Sequence, residues 1–264
     1  MPANRLVTAS IAALLVAVIG FGGWYFLWRD DAPPPVNLDD AIASIATATP
    51  DPASVTATAT TEAMPATATA IADSTTGTTS GGSSATSLTG TWTVASAGES
   101  FAGYRIGEEL ARVGTQTAVG RTSDVTGTLE FDGAAITAVD IQVDMTTLRS
   151  DDSRRDGQLS RRGLETSAYP TAAFTLIAPI TLDAVPEEGV SIERVAIGEL
   201  TLHGVTRAVE IALAGQLTGG LVVVVGSTEI QLADYAIEPP TGLSVLSVDS
   251  HGTLEFQLVF APPN

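Results

Sequence analysis

The chain has no cysteine and no lysine among its 264 residues, and only two histidines. Without cysteine there is no disulfide, no thiolate metal site, no cysteine nucleophile and no lipid-modified cysteine near the N-terminus. Two histidines without a cysteine are too few for a zinc cluster built from those residues. Aromatic residues make up 5% of the chain: seven Phe, four Tyr and three Trp. Positive charge is scarce too. All twelve basic residues are arginine, against 30 acidic ones, for a net charge of −18. So acidic a body is repelled by nucleic acid and by anionic lipid surfaces, which excludes both as bulk partners. Apolar residues at 44% are ordinary for a globular chain, and the length suffices for one good-sized domain plus extensions.

What is present divides the chain into three parts. Leu6 to Trp28 is an uncharged, mostly apolar run. As a helix it would be about 35 Å long, enough to cross a bilayer core. Trp24, Tyr25 and Trp28 stand at its outer end, where amphipathic rings prefer the membrane interface. The rival readings are a cleaved signal peptide and a buried helix. A signal peptide has a shorter apolar stretch and small residues at the cut, whereas this run ends in FLWRDD. Residues 1–29 therefore read as an uncleaved transmembrane anchor. Arg5 and the terminal amine favour the N-terminus inside, which makes this a single-pass cell-membrane protein with its C-terminal domain extracytoplasmic.

Residues 30–88 read as a disordered linker rich in Thr, Ala, Ser and Pro, opening with DAPPPV and closing with GTTSGGSS. The stretch DDAIASIATAT (39–49) offers at most a transient helical turn. As a coil, about sixty residues span roughly 40 Å on average.

Residues 89–264 carry strand signals: runs of Val, Ile, Thr and Phe cut by Gly, Pro and Asp. In VTGTLEF, Val125, Leu129 and Phe131 fall on one face; Val139, Ile141 and Val143 alternate with Asp140, Gln142 and Asp144. Asp132-Gly133 between them is a hairpin cue. Leu254, Phe256, Leu258 and Phe260 share a face in the last run. Strands are expected at 91–95, 100–106, 117–131 (bent or split), 135–145, 171–181, 191–202, 206–217, 221–232 and 252–260, and helices at Glu108–Val113 and Ser153–Thr166. The fold class is all-β: a closed antiparallel barrel of about eight strands with one or two short helices. Closure removes sheet edges, which a chain without lysine cannot guard with that residue. An eight-stranded barrel is just wide enough for one slim ligand.

Three groups of residues invite a chemical reading. Arg149, Arg154, Arg155, Arg161 and Arg162 concentrate basic charge in an acidic chain, and a guanidinium fork suits a phosphate head group. Their competing role is pairing with Asp151, Asp152, Asp156 and Glu165 on a solvated helix, with Asp152 or Ser153 as its N-cap. His203, beside Gly204 in a turn between two strands, reads as structural. Asp249-Ser250-His251 is no catalytic triad, because consecutive residues on a strand point to opposite faces. No nucleophile, base or metal grouping emerges, so an enzyme is not expected.

The segments RRDGQLSRRGLETSAYPTAAFT (154–175) and LTLHGVT (200–206) resemble the two signatures of the YceI-like family. Trp92, Ser100, Tyr104, Met145-Thr146-Thr147-Leu148 and Ala233-Asp234-Tyr235-Ala236-Ile237 are similar to the family as well, and the resemblance runs from about Gly90 to the C-terminus. It implies a lipocalin-like extracytoplasmic barrel that holds an isoprenoid amphiphile, such as a polyprenyl phosphate or a quinone, with no other cofactor. The family usually shows Arg-Asp-x-His-Leu; here Arg155-Asp156-Gly157-Gln158-Leu159 puts Gln158 in place of the histidine.

On this reading the barrel is lined by Tyr104, Leu129, Phe131, Val139, Ile141, Val143, Phe174, Leu200, Ile211, Leu254, Phe256 and Leu258. Arg149, Arg154 and Arg155 stand near the head group. Gly127, Ala172, Ala173, Ala196 and Gly198 leave room for a tail. At about 0.8 kcal/mol per buried CH₂, ten tail carbons supply roughly 8 kcal/mol before entropy costs. A charge-assisted contact adds about 1.5–3 kcal/mol. The tail would set affinity and the arginines would choose the head. The alternative is a filled barrel serving as an envelope structural or protein-interaction module. Either reading is open to a homodimer.

Overall fold

A computed structural model describes residues 32–48, 88–95, 100–112, 114–240 and 245–263. The apolar run Leu6–Trp28 lies outside them. Among the described residues no helix is long and apolar enough to cross a membrane.

The chain opens with α1 (Leu38–Ala48), then β1 (Gly90–Val94), β2 (Phe101–Leu110), β3 (Gly114–Thr122), β4 (Val125–Phe131), β5 (Ala135–Asp144), β6 (Arg149–Ser150) and α2 (Ser153–Gln158). A π-helical turn, Leu159–Gly163, extends α2. There follow β7 (Thr171–Leu176), β8 (Ile180–Thr181), β9 (Ser191–Leu202), β10 (Val205–Thr218), β11 (Leu221–Gln231), β12 (Val245–Val248) and β13 (His251–Ala261).

All ladders between these strands are antiparallel. The ring β1-β4-β5-β7-β9-β10-β11-β13 closes where β13 returns to β1, at Val94↔Phe260 and Thr93↔Ala261, giving eight strands. β2 continues β1 along the same edge of β13, with Arg105 opposite Thr253 and Phe101 opposite Gln257. β3 continues β4, so the run expected as one bent strand is split at Ser123-Asp124. β9 pairs over its full length with β10 around His203-Gly204, whose φ angles of 52° and 74° suit the two-residue turns that match sheet twist.

One end of the barrel is packed shut. Trp92, Phe131 and Phe260 are buried there with Leu217. The other end is open, and the β2–β3 hairpin projects past it, with β12 paired to Glu108–Leu110.

Two expectations need correction. Of the helix expected at Glu108–Val113, the described residues form none: Glu108, Glu109 and Leu110 end β2, pairing with Gln116, Thr115 and Gly114, and Ala111-Arg112 is a turn. Local helix propensity loses to a ladder that buries Glu108 beside an arginine. Second, part of the expected linker is ordered structure. In α1, Asn37 caps the first turn by accepting from Asp40 N at 2.8 Å, and the i, i+4 pair Ala41 and Ile45 packs on Val223, Val225 and Val259 of the outer barrel wall. The helix expected at Ser153–Thr166 is present as α2 with its π-turn, and Asp152 is its N-cap, accepting from Arg154 N at 2.7 Å.

Candidate functional site

The barrel encloses a cavity of about 730 Å³ that opens at the hairpin end. Its wall is made by the inward faces of the strands, because alternation along each strand sends every second side chain inside. Eleven of the twelve residues expected to line it do so: Tyr104, Leu129, Val139, Ile141, Val143, Phe174, Leu200, Ile211, Leu254, Phe256 and Leu258. Phe131 does not. The β4–β5 register shifts between Glu130 and Phe131, and the ring joins Trp92 in the plug of the closed end.

Small residues shape the lumen, by two routes. Ala172, Ala173 and Ala196 line it directly. Glycines work by absence of a side chain. A Cβ on Gly198 would stand 2.3 Å from Phe174 Cζ, one on Gly226 2.5 Å from Phe256 Cζ, and one on Gly120 2.4 Å from Tyr104 Cε1. Three aromatic rings thus occupy the space their glycine neighbours leave vacant, which keeps them off the middle of the lumen. Gly127 serves Ile141 in the same way.

The three arginines assigned to a head group differ in fate. Arg149 pairs across β3 with Arg121, whose side chain lies on the outer face; Arg149 is off the cavity wall and donates to the carbonyls of Thr146 and Leu148 at 3.1 and 2.7 Å. Arg155 lines the cavity, but its charge is already engaged by Glu108 and Asp151. Burial alone would lower its pKa; the Glu108 carboxylate and then Asp151 outweigh this and raise it above the ordinary arginine range. Arg154 reaches the mouth and makes no ion pair among the described residues. Gln158, at the family's histidine position, also lines the cavity.

Sequence reasoning missed several wall residues. Glu108 is one, misread as helical. Met145, Leu148, Leu164, Leu232, Ile237 and the pair Pro239-Pro240 line the open half of the cavity. Two of the family-like segments, Met145–Leu148 and Ala233–Ile237, carried that signal. The Tyr104 hydroxyl is buried with no hydrogen-bond partner among the described residues. Burial drives its pKa well above the usual tyrosine range, with Arg155 pulling the other way. His203 is a turn residue: its Nδ1 is 3.0 Å from Tyr235 O, its Nε2 3.2 Å from Glu165, and its ring stands against Tyr169.

The YceI-like domain family matches residues 92–260, the whole ring of strands apart from its ragged ends. The chain belongs to the YceI-like family. Three solved structures are similar to it. A polyisoprenoid binding domain from Saccharophagus degradans, implicated in plant cell wall breakdown, is 20% identical with a TM-score of 0.53, over 66% of this chain and 99% of that one. BcnA of Burkholderia cenocepacia is 16% identical (TM-score 0.46; 60% and 95% covered), and the Campylobacter jejuni YceI protein 18% (TM-score 0.44; 55% and 84%). At such identities the first of these shows a shared fold. No protein with a curated description matches the chain.

Proposed function

We propose that this YceI-like chain is a membrane-tethered, extracytoplasmic, non-enzymatic lipid-binding protein. The barrel shelters the tail of one isoprenoid-type amphiphile and holds its head at the mouth. The observation that carries this reading is the cavity. About 730 Å³ of continuous space inside an apolar wall falls in the size range of small-molecule sites, whereas a purely structural barrel fills its interior with side chains. The polyisoprenoid-binding description of the Saccharophagus degradans domain supports the same ligand class.

The mouth is compatible with either head, a quinone or a prenyl phosphate. Arg155 is already neutralised by Glu108 and Asp151, and Arg149 faces away. Arg154, beside the uncharged amide of Gln158, and Arg112 at the hairpin tip line the cavity without an ion pair among the described residues. The test is native mass spectrometry of the chain from Ala32 onward, purified without detergent, followed by organic extraction. An isoprenoid near one per barrel supports the reading. A barrel that emerges empty and refuses added prenyl phosphates and quinones overturns it in favour of an envelope interaction module.

A further inference from the structure

The segment before the barrel is a strap on its outer wall, and it enters from the open end. Outward-facing residues of β13 mark successive rows from the open end to the closed one: Thr253, Glu255, Gln257, Val259. The carbonyl of Pro33 accepts from Arg105, in the Thr253 row, at 2.6 Å. The carbonyl of Pro34 accepts from Arg121, in the Glu255 row, at 3.4 Å. Ser44 meets Gln257, and Ala41 and Ile45 cover Val259. The chain therefore comes onto the barrel from the open end, at the Thr253 and Glu255 rows, and α1 lies over the Gln257 and Val259 rows, nearer the closed end. Residues 49–87 join two points on the barrel wall and add nothing to the distance between the barrel and whatever precedes Ala32.

That changes the length of the tether. Five residues from Trp28 to Pro33 reach at most ~18 Å, against the roughly 40 Å mean span of a sixty-residue coil. From the Arg105 row, the hairpin tip at Leu110 is about 17 Å of strand away and the closed end at Ala261 about 27 Å. A tether this short lets the open end meet the membrane and holds the closed end off it. The rim suits such a contact: Leu246 is 56% exposed, and Ala111, Arg112 and Pro239 are exposed or lie at the mouth beside it. We propose that the strap seats the barrel mouth-down on its own membrane, making the rim of the β2–β3 hairpin, β12 and Pro239-Pro240 a phospholipid-docking surface. This rests on the anchored reading above, and it gives the bound amphiphile a path between bilayer and lumen that never crosses water.

The chain lacks cysteine, so single cysteines can be labelled cleanly. Ala111→Cys marks the mouth and Ala134→Cys the closed end; both positions are exposed. Full-length protein carrying a fluorophore at either site is inserted into phosphatidylcholine vesicles that contain spin-labelled phosphatidylcholine. Quenching should be several-fold stronger at position 111 than at 134. Ala41→Glu with Ile45→Glu, which undocks the strap, should bring the two sites close to equal. Inserting about thirty Gly/Ser residues between Asp31 and Ala32 should do the same with the sequence of α1 unchanged. Equal quenching in the parent, or stronger quenching at 134, overturns the orientation. Flotation of the vesicles reports the anchor separately: protein that floats with equal quenching sinks the orientation alone, and protein that fails to float sinks the anchor with it. Lipid content by mass spectrometry reports the barrel independently of both.

Discussion

Arg121 Nη2 lies 2.7 Å from the carboxylate of Glu255, a residue only 2% exposed on the outer wall of the barrel. Arg105 approaches the same carboxylate at 3.4 Å. Arg105 Nη2 donates to the Pro33 carbonyl, Arg121 Nη2 donates to the Pro34 carbonyl as well as to Glu255, and Arg121 stacks over Phe101 at 4.3 Å. A carboxylate this deeply buried is tolerable only because two cations share it and the strap covers all three.

Removing the shared anion should therefore hurt more than removing one cation. Glu255→Gln leaves two arginines facing each other under cover and should cost on the order of 3 kcal/mol. Arg121→Ala leaves Arg105 on Glu255 and should cost less. Urea unfolding of the chain from Ala32 onward measures both. A Glu255→Gln variant as stable as the parent would show that the triad contributes nothing net.

At the mouth, Glu108 decides how much positive charge an incoming head group meets. Glu108→Gln leaves Arg155 paired only with Asp151, which is exposed. Freed in this way, Arg155 should improve binding of a prenyl phosphate about tenfold, a single charge-assisted contact's worth, and leave a quinone nearly unchanged. Arg154→Ala with Arg155→Ala should do the reverse to the phosphate. Competition titration with the two ligand types checks this, and equal shifts for both would argue that the head sits elsewhere.

These sites were unevenly legible in the sequence. The wall could be read because alternation is local: Leu254, Phe256 and Leu258 announce one face whatever they pair with. Phe131 breaks the pattern through a register shift that only the partner strand reveals. Glu108 carries helix-forming neighbours, and its fate was set by Gln116 and Arg155, distant in sequence. The strap left two clues. Ala41 and Ile45 stand one helical turn apart, and Leu221–Val225 reads LVVVV, apolar on both faces. A strand in a solvated barrel should be polar outside; one apolar throughout needs a cover on each side. Nothing local said that the cover was α1.

Alkaline pH should weaken the barrel through its buried phenols. Burial raises the pKa of Tyr104 and Tyr235 above the ordinary value near 10, while Tyr169 is half-exposed. The unfolded chain then loses these protons first. The stabilisation is complete below pH 10 and is lost as pH rises beyond it. Absorbance of ionised tyrosine should show two late-titrating groups, and Tyr104→Phe should remove one and flatten the alkaline fall in stability. A Tyr104 that ionises near pH 10 in the folded protein would mean that water reaches its hydroxyl.

The glycine recesses offer the sharpest test that the lumen holds a tail. Gly198→Ala brings its Cβ 2.6 Å from the Thr175 carbonyl, so a loss there would mix backbone strain with ring movement. The atoms nearest a Cβ on Gly226 belong to side chains, Phe256 Cζ at 2.5 Å and Leu213 Cδ2 at 2.8 Å, and both residues line the lumen. The strain should cost about 1–3 kcal/mol of stability. The displaced ring should also weaken tail binding about tenfold, roughly 1.4 kcal/mol, since it takes the room of one or two methylenes. Trimming the ring in the same chain, with Phe256→Leu added to Gly226→Ala, should restore binding toward the parent while leaving the barrel less stable. Affinity from lipid titration and stability from urea unfolding would then move in opposite directions. Affinity that simply follows stability through all three proteins would mean that the recess serves packing and that the lumen is not where the tail binds.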